Sequence, residues 1–339
     1  MLKFAIDQVI KNKDLTEKEM IHVMNMIMEG KATSSQIGGF LIALRMKGET
    51  LEEITGAAKV MRDKSLRVDI KSKYAIDTCG TGGDGGNTFN VSTVVAFVAA
   101  GADVTVLKHG NRSVSSKCGS ADVLDHLGVN INLSPIEVEK CVEKINIGFM
   151  FAPKYHKAMK YAIQPRRELG VRTIFNVLGP LTNPARVNGQ VLGVFDESLT
   201  PVLAGVLKEL GVERAMVVHG LDGLDEITIT TKTKISELKS GKINTYYIDP
   251  RKFDIPLTNK EEIIGGEPKE NAQILLNILK GERGAKRNMV LLNAGAAIYV
   301  GKKTTSLEAG IDKAKEIIDT GLALEKLNQL VKFSQEMKR

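Results

Sequence analysis

Three times in the first third of the chain, a threonine stands three residues before a glutamate or glutamine and opens a run of apolar residues at helical spacing. Thr16 with Glu19, Thr33 with Gln36 and Thr50 with Glu53 are capping boxes, in which side chains satisfy backbone N–H groups that a helix start leaves unpaired. Gly30 and Gly48 punctuate the ends of the first two helices, and Leu51 to Ser65 makes the third. These segments predict a small helical bundle, ending in the charged stretch Lys64 to Lys73.

From Tyr74 the pattern changes. Short β-rich runs at Ala75–Thr78, Val104–Lys108, Gly148–Phe151, Val191–Phe195 and Ala215–His219 alternate with helical patterns. The helical patterns fall at Ser92–Ala100, Ala121–Leu127, Leu199–Leu210, Ala272–Leu279, Met289–Val300 and Leu307–Thr320. The fold class expected is therefore α/β: a small helical N-terminal domain plus a larger α/β domain with a mostly parallel central sheet. Glu226–Thr230 and Ile243–Ile248 read as an antiparallel addition at the sheet edge. The expected division is 1–72 for the helical domain and 73–339 for the α/β domain. Tyr155 to Pro184, with prolines at 165, 180 and 184, breaks the alternation. It reads as an excursion that packs residues 165–188 on the bundle and leaves a cleft between the two parts.

Composition narrows the partners. Apolar content of 43% and charged content of 26% in 339 residues suit a globular protein. No apolar run approaches the ~20 residues of a membrane span, and the opening MLKFAIDQVIKNKDL is too charged for a secretory signal. Cys79, Cys118 and Cys141 are odd in number and lack zinc-ligand spacing, which points to a reducing cytoplasm. The net charge of +7 comes from scattered basic residues with only 5% aromatics, unlike a nucleic-acid footprint. It favours anionic small molecules.

The chemistry concentrates in a few runs. Asp77 to Thr93, DTCGTGGDGGNTFNVST, is dense in glycine, follows an apolar segment and leads into a helix. Glycines let backbone N–H groups converge, and the helix start adds positive potential, which suits a phosphate. Thr81, Thr88, Ser92 and Thr93 add hydroxyls, and Asp84 can accept from a sugar hydroxyl. Gly80, Gly82 and Gly85 satisfy G-x-G-x-x-G, but the next strand ends in Lys108 rather than the acid a nicotinamide cofactor wants. A Walker loop would need Gly-Lys-Ser/Thr, which is absent. The second run, Lys108 to Ser120 (KHGNRSVSSKCGS), offers Lys108, Arg112 and Lys117 with serines at 113, 115 and 116, chemistry for a pyrophosphate. In the third, His219 to Glu226, Asp222, Asp225 and Glu226 gather carboxylates that suit Mg²⁺ beside a phosphate. The fourth is Arg166, with Arg167 and Arg172, able to grip a carboxylate with a forked guanidinium. His22 and His126 read as helix residues, whereas His109, His156 and His219 lie in the motif regions.

Together with ALRMKGETLEEITGAAKVMR and LLNAGAAIYVGKKTTSLEAG, these runs resemble the anthranilate phosphoribosyltransferase family over nearly the whole chain. The resemblance implies a cytoplasmic homodimer of the tryptophan pathway acting on phosphoribosyl pyrophosphate (PRPP) and anthranilate, with no nucleic acid or membrane partner. Carried over by motif, Gly80, Gly83, Asp84, Thr88, Asn90, Val91, Ser92 and Thr93 would hold PRPP. Lys108, His109, Gly110, Asn111, Arg112, Ser113, Val114, Ser115, Ser116 and Ser120 would complete that site. Gly80, Asn111 and Arg166 would contact anthranilate, with His109 and His156 near and His109 in a positioning role rather than as an acid or base. Ser92, Asp225 and Glu226 would serve magnesium, two ions per site. The run Ala162 to Arg167 varies within the family, and Gln164 stands before Pro165 here. A pyrimidine nucleoside phosphorylase, similar in architecture, would instead need inorganic phosphate. A relative that kept the fold and turned to nucleic acid would have no reason to keep the glycine loop, Lys108, Asn111, Arg166 and Asp225-Glu226 together.

Overall fold

Both halves of each of the three predicted capping boxes form, at Thr16, Thr33 and Thr50. The computed structural model describes every residue except 72, 73, 84, 86, 87, 114–116, 338 and 339. The bundle consists of α1 (Leu2–Ile10), α2 (Glu17–Met28), α3 (Ser34–Lys47) and α4 (Leu51–Asp63). Outside the capping pattern, α1 still buries Leu2, Ala5 and Val9 at helical spacing. Glu53 is wholly buried yet fully used, accepting from Thr50 N–H (2.8 Å), Leu15 N–H (2.9 Å) and Lys47 Nζ (3.0 Å). That one carboxylate ties three segments of the bundle together.

The remainder runs β1 (Ile76–Gly80), α5 (Val91–Gly101), β2 (Val106–Gly110), α6 (Ser120–His126), α7 (Pro135–Ile145), β3 (Ile147–Phe151) and α8 (Ala152–Tyr155). Then come α9 (Lys160–Leu169), α10 (Phe175–Leu181), β4 (Gly189–Gly193), α11 (Leu199–Glu209), β5 (Arg214–Gly220), β6 (Thr233–Lys239) and β7 (Lys242–Ile248). The chain closes with α12 (Pro268–Leu279), α13 (Ala285–Val300), α14 (Leu307–Asp319) and α15 (Leu322–Glu336). The sheet order is β3-β2-β1-β4-β5-β6-β7; β1 to β5 are parallel, and β6 and β7 are antiparallel. Among the described residues no helix is long and apolar enough to cross a membrane.

The structure corrects the edge of the sheet. The partner of β7 is β6, the charged run TKISELK, and not Glu226–Thr230. The β-prone sequence of 226–230 is overridden because its polar groups bond to side chains instead of a ladder. Asn293 Nδ2 donates to Ile227 O (2.8 Å), its Oδ1 accepts Ile227 N–H (3.0 Å), and the Thr228 and Thr230 hydroxyls donate to Asp222. The predicted strand limits also move: β1 and β2 run on to Gly80 and Gly110, and β4 begins at Gly189.

Two apolar cores lie on either side of this frame. One surrounds α5 and α13, with Val95, Phe97, Ala296 and Ile298. The other joins the bundle to Ala162 of α9, to Phe175 and Leu178 of α10, and to Leu192 and Val217 of the sheet. Residues 162–181 of the excursion thus share a core with the bundle and one face of the sheet, whereas Tyr155 at its start and Val187 beyond its end belong to the other core.

Candidate active site

The strand order reverses at β1. The chain builds β2 and β3 on one side of it and then crosses to β4 on the other, which opens a crevice beyond the carboxyl ends of β1 and β4. Both strands end in glycine, Gly80 and Gly193, and the segment carrying Asp225 lies across them. A Cβ on Gly80 would overlap the Asp225 carboxylate, and one on Gly193 would overlap the Asp225 carbonyl oxygen. Gly82 N–H then donates to Asp225 Oδ2 at 2.7 Å, joining the glycine loop to the acidic turn. His219, from the same turn region, is anchored by its Nδ1 to Val194 O at 2.7 Å.

On the other flank β1 and β2 are in register only at Ile76 and Val106 before they part. Side chains take over the backbone groups in the gap. Asp77 Oδ1 accepts His109 N–H (3.3 Å), Asn183 Nδ2 donates to Leu107 O (2.9 Å) and to Asp77 Oδ2 (2.7 Å), and Lys108 Nζ donates to Thr78 O. Lys108 Nζ also reaches Ser92 Oγ at 3.1 Å. Burial pushes the Asp77 carboxyl up to about 6, opposed by Lys108, Asn183 and two backbone N–H groups. Burial lowers Lys108, opposed chiefly by the Asp77 carboxylate and, less, by Glu226. A buried polar cluster thereby lies beneath the two loops in which phosphate-binding residues are predicted.

Among the predicted PRPP residues, Asn90 stands at the first position before α5 with no side-chain cap bond, with Val91 and Thr93 buried and Ser92 half-buried. Thr88 bridges to Ile264. Gly83 O accepts from the Arg172 guanidinium, which lies 4.4 Å from the centre of the Phe195 ring. In the second loop, Ser113 N–H and Gly119 N–H both donate to Asp122 Oδ2 at 2.9 Å. Gly110 packs against Ser120, and Asn111 is exposed with its O accepting Ala121 N–H at 3.1 Å. Arg112 is drawn to α6, pairing with Asp122 and Asp125 at 2.8 Å each. Asp84, Val114, Ser115 and Ser116 lie outside the described residues.

His109 and His156 meet with ring centroids 5.0 Å apart. Each is hydrogen-bonded to the backbone of the next segment, His109 to Gly179 and His156 to Thr182. Among the described residues each leaves Nε2 buried and without a hydrogen-bond partner. Burial drives His109 well below its ordinary value and His156 down to about 4, so both rings are neutral acceptors at pH 7. Arg166 is half-buried over the Phe175 ring, 5.0 Å from its centre, and burial lowers it as well. Its guanidinium has no hydrogen bond or ion pair among the described residues. Arg166, His109 and His156 thus each lie against α10 or the residue that follows it.

Among the described residues no group of three or more His, Cys, Asp or Glu is placed to hold a metal alone. Asp225, Glu226 and the Ser92 hydroxyl offer oxygen only. That set fits Mg²⁺, which is commonly held by one or two carboxylates plus substrate phosphates and water. Asp77, Asn183 and Gly193, which the sequence pattern did not single out individually, shape the strand ends here. An acid inside an otherwise apolar strand was the one available signal for Asp77.

Residues 3–65 match the glycosyl transferase family helical bundle domain, and residues 72–324 match the glycosyl transferase family a/b domain. The chain is 72% identical over 338 residues to the anthranilate phosphoribosyltransferase of Alkaliphilus metalliredigens (strain QYMF), covering 100% of both. It is similar to the crystal structure of anthranilate phosphoribosyltransferase from Thermus thermophilus, with a TM-score of 0.93, 39% identity, and 98% and 99% of the two chains covered. The Saccharomyces cerevisiae enzyme of the same name, in complex with PRPP and Mg, superposes with a TM-score of 0.91 at 28% identity, covering 99% and 98%.

Proposed function

Because the chain belongs to the glycosyl transferase family, and within it to the anthranilate phosphoribosyltransferases, we propose that the crevice beyond β1 and β4 is where its chemistry occurs. The enzyme transfers the phosphoribosyl group of PRPP to the amine of anthranilate. The products are N-(5-phosphoribosyl)anthranilate and pyrophosphate, and the reaction is the second step of tryptophan biosynthesis from chorismate. The observation that carries the site assignment is the joining of Gly82 to Asp225 directly beyond the ends of β1 and β4.

In this reading Gly80, Gly83, Asp84, Thr88 and Asn90 to Thr93 hold the sugar phosphate, together with Lys108 to Ser116 and Ser120. Asp225, Glu226 and Ser92 hold magnesium, two ions per site, which supplies charge to the departing pyrophosphate. Arg166 takes the anthranilate carboxylate, with Gly80 and Asn111 beside it. The amine is neutral at pH 7 and needs orientation rather than a base. Its nitrogen lone pair forms the bond to the anomeric carbon as the carbon–oxygen bond breaks and its electron pair leaves with pyrophosphate; the now-cationic, strongly acidic nitrogen then releases one proton to solvent. His109, buried beside His156, serves to position the acceptor rather than as an acid or base.

Phe4 (49% exposed), Ile10 and Met46 (83% exposed) give α1 and α3 an uncovered apolar face, on which a second copy docks to make a homodimer. The cytoplasm, where PRPP is made and thiols stay reduced, is the proposed location. Adding PRPP and Mg²⁺ to enzyme with anthranilate tests the reading. Anthranilate fluorescence should fall only with all components present; unchanged fluorescence, or cleavage of a nucleoside by inorganic phosphate, would reject it.

A further inference from the structure

Asn90 opens α5 without using its side chain as a cap, although asparagine is among the best capping residues. Its amide is engaged elsewhere. Nδ2 donates to Cys118 O in the second loop at 3.1 Å, and Oδ1 accepts from Asn271 Nδ2 at 3.0 Å. Asn271 sits in the first turn of α12, is 3% exposed, and has both polar atoms committed. Its Nδ2 also donates to Gly266 O at 3.0 Å, and its Oδ1 accepts Gly266 N–H at 2.8 Å. The turn it holds lies against the glycine loop itself. A Cβ on Gly265 would stand 2.6 Å from both Phe89 Cα and Asn271 Oδ1, and Ile264 bridges to Thr88.

A continuous path therefore runs from the 264–266 turn through Asn271 to Asn90 and on to Cys118, touching both loops assigned to PRPP. Freed from capping, Asn90 leaves the start of α5 open for a phosphate. We infer that Asn271 is a positioning residue for the transfer: it fixes the Asn90 amide, and through it the spacing of the two PRPP loops. The orientation matters because Asn90 presents its oxygen to Asn271 and its nitrogen to Cys118. Without the Asn271 donor, the Asn90 amide is free to turn and release the second loop. This inference rests on the reading that Asn90 to Thr93 bind PRPP.

Asn271→Asp keeps the size of the side chain and removes the donor. It should raise the KM for PRPP about tenfold, the effect typical of losing an outer-shell hydrogen bond. The KM for anthranilate at saturating PRPP should stay within about twofold, the scatter expected of uncoupled sites. In an Asn90→Ala background the same substitution should leave the PRPP KM within about twofold. Equal effects in both backgrounds, equal rises in both KM values, or no rise at all would overturn the inference.

Should the variant fail to fold, hydrogen exchange on the unmodified enzyme decides. PRPP with Mg²⁺ should slow exchange in 264–271 as well as in 88–93. Protection of 88–93 alone would overturn the inference, and protection of neither would reject the underlying site assignment instead.

Discussion

Asp225 Oδ2 accepts the Gly82 N–H at 2.7 Å, so the acidic turn and the glycine loop are joined as one unit. The contact is possible because Gly80 and Gly193 leave no side chain where the Asp225 segment crosses the strand ends. The two glycines face different obstacles: a carboxylate that can rotate at Gly80, and main chain at Gly193.

Gly193→Ala should therefore be the more damaging change. Displacing the Asp225 backbone by about an ångström should lower kcat by about a hundredfold and raise the Mg²⁺ concentration needed for half-activity. Gly80→Ala should show a smaller version of the same loss. Steady-state rates across a magnesium titration check the order; equal effects would mean that the Asp225 main chain is not what the site requires.

Arg166 offers a guanidinium that stacks on Phe175 and has no carboxylate partner among the described residues. Arg166→Ala should raise the KM for anthranilate roughly 10- to 100-fold, as expected for losing a hydrogen bond to a charged group. PRPP binding, followed by calorimetry with Mg²⁺ and no anthranilate, should persist. Unchanged anthranilate kinetics would remove Arg166 from this role.

Burial holds His156 from its ordinary 6.5 down to about 4. A histidine whose folded value is depressed contributes stability that is complete above 6.5 and lost as pH falls through about 4. The full loss for His156 amounts to about 3 kcal/mol. Asp77, raised by burial from 3.8 to about 6, acts in the opposite sense. Its contribution is complete below 3.8 and lost as pH rises through 6, so the two partly offset between pH 4 and 6. Urea unfolding of wild type and His156→Gln at pH 7 and pH 4.5 isolates the histidine. The stability of the variant relative to wild type should improve at the lower pH, and a constant difference would refute the assignment.

Met46 lies on the exposed apolar face of the bundle. Met46→Glu should shift sedimentation toward the monomer by placing like charges opposite each other across a two-fold interface. A dimer of unchanged stability would place the contact elsewhere.

The three capped helices are legible in the local pattern, because a cap and its partner lie within four residues and need no distant support. So are the α/β alternation and, through combined motifs, the family. Long-range packing settles which strand joins β7, because Glu226–Thr230 is kept out of the sheet by Asn293, more than sixty residues away. It alone brought Asn183 into the gap between β1 and β2, and Asn271 to Asn90 across 181 positions. These residues are ordinary in their local runs. Their significance comes from burial, where a polar group must find a partner, and no local pattern in a chain states which distant partner it will find.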